Sequence, residues 1–166
     1  MLNFDKAFDI VIGVEAGYSN DPRDPGGETN WGITIATLRQ SIIDKIVPDG
    51  TTVKGLTKDQ AKLIYKANYW SKIHGDEIAS PLDVFAFDSS VNQGLTASVK
   101  MMQLVLKVPQ TGIMDVVTVG KAKFATAWHA QVFMARRAMR YNSTRNADVY
   151  LEGWLTRLFT VTMKGL

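Results

Sequence analysis

The sequence predicts a mainly α-helical fold with one short β-hairpin beside a long loop. Three observations carry this expectation. Apolar residues recur at helical spacing along most of the chain, and helix-start signatures precede several of those segments. A single β-capable stretch, TNWGIT at 29–34, follows a loop rich in glycine and proline. The 166 residues, 46% of them apolar, suffice for a core that needs no covalent staple. Two parts of one compact unit are expected, 1–79 and 80–166, with no repeat and no linker between them.

Asn3 can cap a first helix from Phe4, with Asp5 in its first turn and Phe4, Phe8, Val11 and Ile12 on one side. Glu15 is expected in its last turn and Gly17 as its stop. A second helix opens at Thr34 or Thr37 and runs to about Asp44. Thr57 and Gln60 form a capping box for a helix over 58–73. Ser80 and Pro81 read as N-cap and first helical residue of the next, which ends at Gly94. Thr96 opens another up to Val108, and two more fit at about 116–141 and 147–164.

The stretch EAGYSNDPRDPGGETNWGIT at 15–34 is the first place to look for chemistry, because long loops in compact domains tend to be functional. A carboxyl group at a helix C-terminus faces the negative end of the dipole, and apolar neighbours desolvate it. Both effects keep Glu15 protonated towards neutral pH, as a general acid requires. Asp24 lies in a polar, glycine-rich loop that keeps it ionised, with Glu28 and Asp21 as rivals for the same role. One carboxyl group in an apolar setting and one in a wet setting is the arrangement that cleaves glycosidic bonds. Thr29 or Asn30 can hold the attacking water, or both can simply pin the hairpin.

Glu15, Asp24 and the Thr29–Asn30 pair resemble the Glu–Asp–Thr arrangement of T-even phage lysozymes. The fuller text is similar to glycoside hydrolase family 108, peptidoglycan muramidases marked by a Glu-Gly-Gly-Tyr motif and a DPGGETNYGIT-like loop. This chain departs from that motif at Ala16. YKANYW at 65–70, FDSSVNQG at 87–94, KMMQLVLKVPQTGIMD at 100–115 and LEGWLTRL at 151–158 also resemble family segments, the third of them the family's predicted peptidoglycan domain. The resemblance implies a lysozyme-like helical fold. It also implies cleavage of the β-1,4 bond between N-acetylmuramic acid and N-acetylglucosamine, with Glu15, Asp24 and Thr29 as catalytic residues.

Tyr18, Trp31, Tyr69 and Trp70 are candidate platforms for sugar rings, and Asn30 and Asn92 candidate hydrogen-bonding contacts to substrate. Tyr69 and Trp70 also fit a core, and Asp88 with Asn92 fits a buried hydrogen-bonded pair.

No cysteine is present, and His74 and His129 stand alone, which argues against thiolate and zinc chemistry and leaves no cofactor expected. Bacterial peptidoglycan is the expected partner, with no nucleic acid, no stable membrane insertion and a monomeric chain. The net charge is +3, with acidic residues gathered near the N-terminus and Arg136, Arg137, Arg140 and Arg145 towards the other end, where they can dock on an anionic polymer. No basic leader or apolar span is read at the N-terminus. The expected setting is a phage endolysin held in the host cytoplasm until a holin-like pore gives access to the periplasm. A lytic transglycosylase, or a non-catalytic wall-binding or phage structural module, is the alternative.

Overall fold

The computed structural model describes residues 4–12, 17–20 and 27–166. They form eight α-helices and a two-stranded antiparallel hairpin, so the protein is mainly α, as the periodicity predicts. Contacts divide the chain into two compact units, one of Met1–Val11 with Tyr69–Leu166, the other of Ile12–Asn68. The expected boundary at 79/80 falls inside the first unit, and the first helix belongs with the C-terminal part.

In the larger unit the helices are α1 (Phe4–Val11), α4 (Leu82–Gln93), α5 (Leu95–Val105), α6 (Val116–Ala122), α7 (Ala127–Asn142) and α8 (Ala147–Gly165). α4 is the central helix. Every residue from Leu82 to Ser90 is buried, because α1, α5, α7 and α8 all pack on it. Its small residues admit close neighbours, and the buried Ser98 hydroxyl of α5 donates to the Ala86 carbonyl at 3.0 Å. α1 adds Phe4, whose ring lies 5.7 Å from Trp70 and 5.9 Å from Phe87. Those long-range ring contacts explain why α1 groups with residues far along the chain.

Several ends differ from the sequence reading. The Ser80–Pro81 bond is cis and Pro81 stands outside α4 as its cap, not as its first helical residue. Gly94, at φ 89°, both ends α4 and starts α5, so Thr96 is not the opener. The single helix expected over 116–141 is two. Asp115 caps α6 by accepting from the Thr118 N–H at 2.8 Å. Thr126 starts α7 and its N–H donates to His129 Nδ1 at 3.0 Å, a capping role that gives His129 its position. Gln103, fully buried, holds the loop between α5 and α6 by donating to the Ile113 carbonyl at 2.8 Å and accepting from the Gly112 N–H at 2.8 Å.

In the smaller unit the hairpin strands are β1 (Thr29–Asn30) and β2 (Ile33–Thr34), followed by α2 (Ile35–Ile43) and α3 (Lys58–Tyr65). Thr34 caps α2 through the Thr37 N–H at 3.2 Å, and the Thr57–Gln60 capping box forms as read. The helix expected to 73 changes character: after Tyr65 a π-helical turn covers Lys66–Trp70. Ile12, Ile33, Leu38, Val47, Val53, Leu56, Ala61, Ile64 and Tyr65 are the buried apolar residues here.

Candidate functional site

Glu15 and Asp24, the two expected carboxyl groups of the reaction, lie outside the described residues, as does Asp21. What the structure builds around them in sequence is the platform of the smaller unit.

Asn30 and Ile33 pair across a two-residue turn, Trp31–Gly32, with φ of 53° and 70°. Positive φ at both central residues matches the twist of the strands, which is why tight hairpins use such turns. Glycine adopts this conformation freely and tryptophan does not. The Tyr65 hydroxyl donates to the Trp31 carbonyl at 3.0 Å and helps hold the turn. A third segment joins on the other side. Ser19 and Thr29 exchange two backbone hydrogen bonds of 2.8 Å, so the loop after Gly17 returns to the hairpin as a short bridge.

Side chains on β1 separate by alternation. Asn30 is buried, and its amide donates to the carbonyls of Val53 at 3.0 Å and Leu56 at 3.3 Å. This corrects the expectation of Asn30 as a substrate contact, because its buried amide pins the 53–56 loop. It adds a second donor to the Val53 carbonyl, which also accepts the Leu56 N–H at 3.2 Å, and a donor to the Leu56 carbonyl. Thr29 is half-buried and its backbone is fully used by Ser19, which leaves the side chain as the chemically available group on the strand.

Tyr18 is 43% exposed. Partial desolvation, with Glu28 hydrogen-bonding to the hydroxyl and adding its negative charge, raises the phenol above its ordinary pKa, and Asn20 acts weakly in the other direction. Lys54 sits over the Tyr18 ring at 5.9 Å, a cation–π contact that sequence reasoning had no means to find. Trp31 is partly exposed at the turn. Tyr18 and Trp31 therefore keep surface that a sugar ring can use.

The other candidates lie in the larger unit. Trp70 is fully buried, packed edge-on to Phe87 at 5.7 Å, and its indole donates to Asp76 at 2.9 Å. A ring with no exposed surface stacks on no sugar, so of the two readings the sequence leaves open for Trp70, sugar platform or core, the platform is corrected and the core one stands. Tyr69 is half-buried, and burial raises its phenol pKa. Asn92 is exposed at the end of α4, with its amide donating to Asp88 Oδ1 at 3.1 Å and to the Asp88 carbonyl at 2.8 Å.

The pairing of Asp88 with Asn92 was legible; its other partners were not. Asp88 and Arg137 are both fully buried, with Arg137 Nη2 2.5 Å from Asp88 Oδ2. Arg157 binds the other carboxylate oxygen at 2.7 Å and donates to the Val11 carbonyl at 2.9 Å, which ties down the end of α1. Among the described residues no group of three or more His, Cys, Asp or Glu side chains could hold a metal ion.

The family model for glycosyl hydrolase 108 matches residues 8–94. That range includes Glu15, Asp24 and the hairpin. No curated protein matches the sequence significantly. Among solved structures, one titled "Structure of Brucella abortus SagA" is similar, with a TM-score of 0.81 and 32% identity over 98% of this chain and 92% of that one.

Proposed function

The chain belongs to the glycosyl hydrolase 108 family and has a lysozyme-like, mainly α fold, and we propose that it is an N-acetylmuramidase. Family membership makes it a glycoside hydrolase. The finer reading is ours: peptidoglycan is its substrate, and the β-1,4 bond between N-acetylmuramic acid and N-acetylglucosamine is the bond cleaved. The observation that carries it is the family match over 8–94, whose sequence includes Glu15 and Asp24 ahead of a hairpin with Thr29 on its first strand.

In this mechanism Glu15 gives its proton to the departing glycosidic oxygen, which removes the need to expel an alkoxide. Asp24 stays ionised and either directs water to the anomeric carbon or stabilises the positive charge that grows on the ring. Thr29 orients the water through its hydroxyl. Tyr18 and Trp31 offer apolar ring faces to the pyranose. Residues 80–166 serve as a helical peptidoglycan-binding part. The biological setting that fits is lysis of a bacterial host from within, with release through a holin-like pore. Among the described residues no helix is long and apolar enough to cross a membrane.

Glu15→Gln tests the assignment, because it keeps the shape and removes the proton. The variant should retain the parent's circular dichroism and lose more than about a hundredfold of peptidoglycan-clearing activity, the upper range for general acid catalysis being about ten-thousandfold. Mass spectrometry of the released muropeptides separates the bond chemistry. A hydrolase adds one water to each product, whereas a lytic transglycosylase leaves an anhydro sugar. Normal clearing by the variant, or anhydro products from the parent, would overturn the reading.

A further inference from the structure

The larger unit contains a cleft of about 270 Å³ lined by Asn92, Gln93, Arg140, Tyr141, Thr144 and Trp154. We propose that it is a saccharide subsite for an acidic N-acetylated amino sugar, the muramyl residue of a glycan strand. This inference rests on the peptidoglycan reading and adds to it the place where the strand is held.

The walls have the chemistry of sugar recognition. Trp154 stacks on Tyr141 with ring centroids 5.1 Å apart and planes 23° from parallel. Tyr150, 54% exposed, flanks Trp154 at 5.7 Å. Such an aromatic wall suits the apolar face of a pyranose. The amides are preorganised. Gln93 Oε1 accepts from Arg137 Nε at 3.0 Å and its amide donates to the Arg137 carbonyl at 3.3 Å, which fixes that wall. Exposed Asn92 donates to Asp88 Oδ1 at 3.1 Å, with its carbonyl oxygen accepting no bond among the described residues and so available to a sugar hydroxyl or an acetamido N–H. Because Asp88 and Arg137 are fully buried, these amides are held by partners inside the core, which reduces the ordering entropy lost on binding.

The remaining group sets the charge of the ligand. Arg140 is exposed, and its guanidinium has no ion pair or side-chain hydrogen bond among the described residues. A planar guanidinium on the rim of a sugar-sized cleft is matched by a carboxylate, which it can bind through two parallel hydrogen bonds. The muramyl residue carries such a carboxylate on its lactyl arm or in the attached peptide; N-acetylglucosamine does not.

The test uses the full chain carrying Glu15→Gln, so that turnover does not consume the ligand. A soluble disaccharide-peptide and an N-acetylglucosamine oligomer are titrated while the Trp154 indole resonance, assigned with a Trp154→Phe variant, is followed by NMR. The muropeptide should shift that resonance and bind more tightly than the neutral oligomer. Adding Arg140→Gln should weaken muropeptide binding about tenfold and abolish the preference, and Asn92→Ala should weaken both ligands. The proposal is overturned if the Trp154 resonance is unmoved, or if both exposed-residue variants bind as the Glu15→Gln chain does. Clearing of sacculi by the unsubstituted chain is measured alongside. Cleavage with an unmoved Trp154 resonance removes the cleft assignment alone, and loss of both removes the peptidoglycan reading with it.

Discussion

Replacing Asp88 by alanine should be among the most damaging single changes in the larger unit. The carboxylate is fully buried and is shared between two guanidinium groups, at 2.5 Å from Arg137 and at 2.7 and 3.1 Å from Arg157. Without it Arg137, also fully buried, keeps Gln93 Oε1 at 3.0 Å, a weak contact to the Met134 sulfur at 3.5 Å and the Tyr141 hydroxyl, none of them a negative charge. An uncompensated buried charge costs about 3–5 kcal/mol. In a chain of this size each kcal/mol lowers the melting temperature by about 2–4 °C, so the expected loss is between about 6 and 20 °C. Calorimetry gives the shift, and near-ultraviolet circular dichroism, which reports the Tyr141–Trp154 stack, assigns it to the same unit. A second variant isolates the cause: Asp88→Leu with Arg137→Met removes the two fully buried charges, leaves Arg157 at its partly exposed position, and should recover most of the lost stability. A melting point for Asp88→Ala within about 2 °C of the parent would refute the reasoning, and a double variant as unstable as the single one would shift the cause from charge to packing.

Two further outcomes follow from the same geometry. Gly32→Ala places a Cβ 2.9 Å from the Tyr65 hydroxyl at a φ of 70°; it should cost about 1–2 kcal/mol in urea unfolding for the left-handed backbone alone, and Tyr65→Phe in that background should return part of any excess over it. Asp83 is buried with one carboxylate oxygen lacking a hydrogen-bond partner; burial raises its pKa above the ordinary 3.8, against the Val84 N–H and the Ser80 hydroxyl. An acid whose folded pKa is raised costs nothing below its unfolded pKa and costs more as pH rises through the folded value. Asp83→Asn should therefore gain stability relative to the parent between about pH 4 and pH 7, measured as a change in the difference of melting temperatures; a difference flat across that range would contradict it.

The parts of the fold that were legible are those written in local chemistry. The Thr57–Gln60 box, the Thr34 cap and the Gly94 stop are each set by a few adjacent residues, and each stands where those residues put it. The break at Phe124–Thr126 was not legible, since the apolar spacing continues across it and the deciding bond runs from the Thr126 N–H to a histidine ring. Nor could sequence order show that α1 packs with residues beyond 69, because the rings of Trp70 and Phe87 that hold Phe4 lie some 66 and 83 positions away. In the candidate site, the aromatic residues were found by type but not sorted by burial: Tyr18 keeps surface and Trp70 has none. Arg137 and Arg140 read, with Arg136 and Arg145, as a face for an anionic polymer; the structure corrects this for Arg137, which is fully buried against Asp88, while Lys54 and Arg157 gain their tasks from tertiary contacts alone.

The choice between Thr29 and Asn30 turns on the two-residue period of a strand. Counting residues from Asp24, by analogy with the T-even arrangement, favours Asn30. On β1, however, neighbouring side chains point to opposite faces, so only one of the pair can serve the loop beneath and only the other can face a ligand. Asn30 is 7% exposed and its amide supplies donors to the buried carbonyls of Val53 and Leu56. Moving that amide to a substrate water would strip the Leu56 carbonyl of its donor and leave the Val53 carbonyl with the Leu56 N–H alone, at about 1–3 kcal/mol for a buried acceptor left unsatisfied, for a task a hydroxyl performs equally well. Thr29 carries that hydroxyl, and its backbone is already fixed by two bonds to Ser19, which holds the side chain in place without spending it. The water-orienting role in the proposed mechanism therefore falls to Thr29, one place earlier than the spacing suggests.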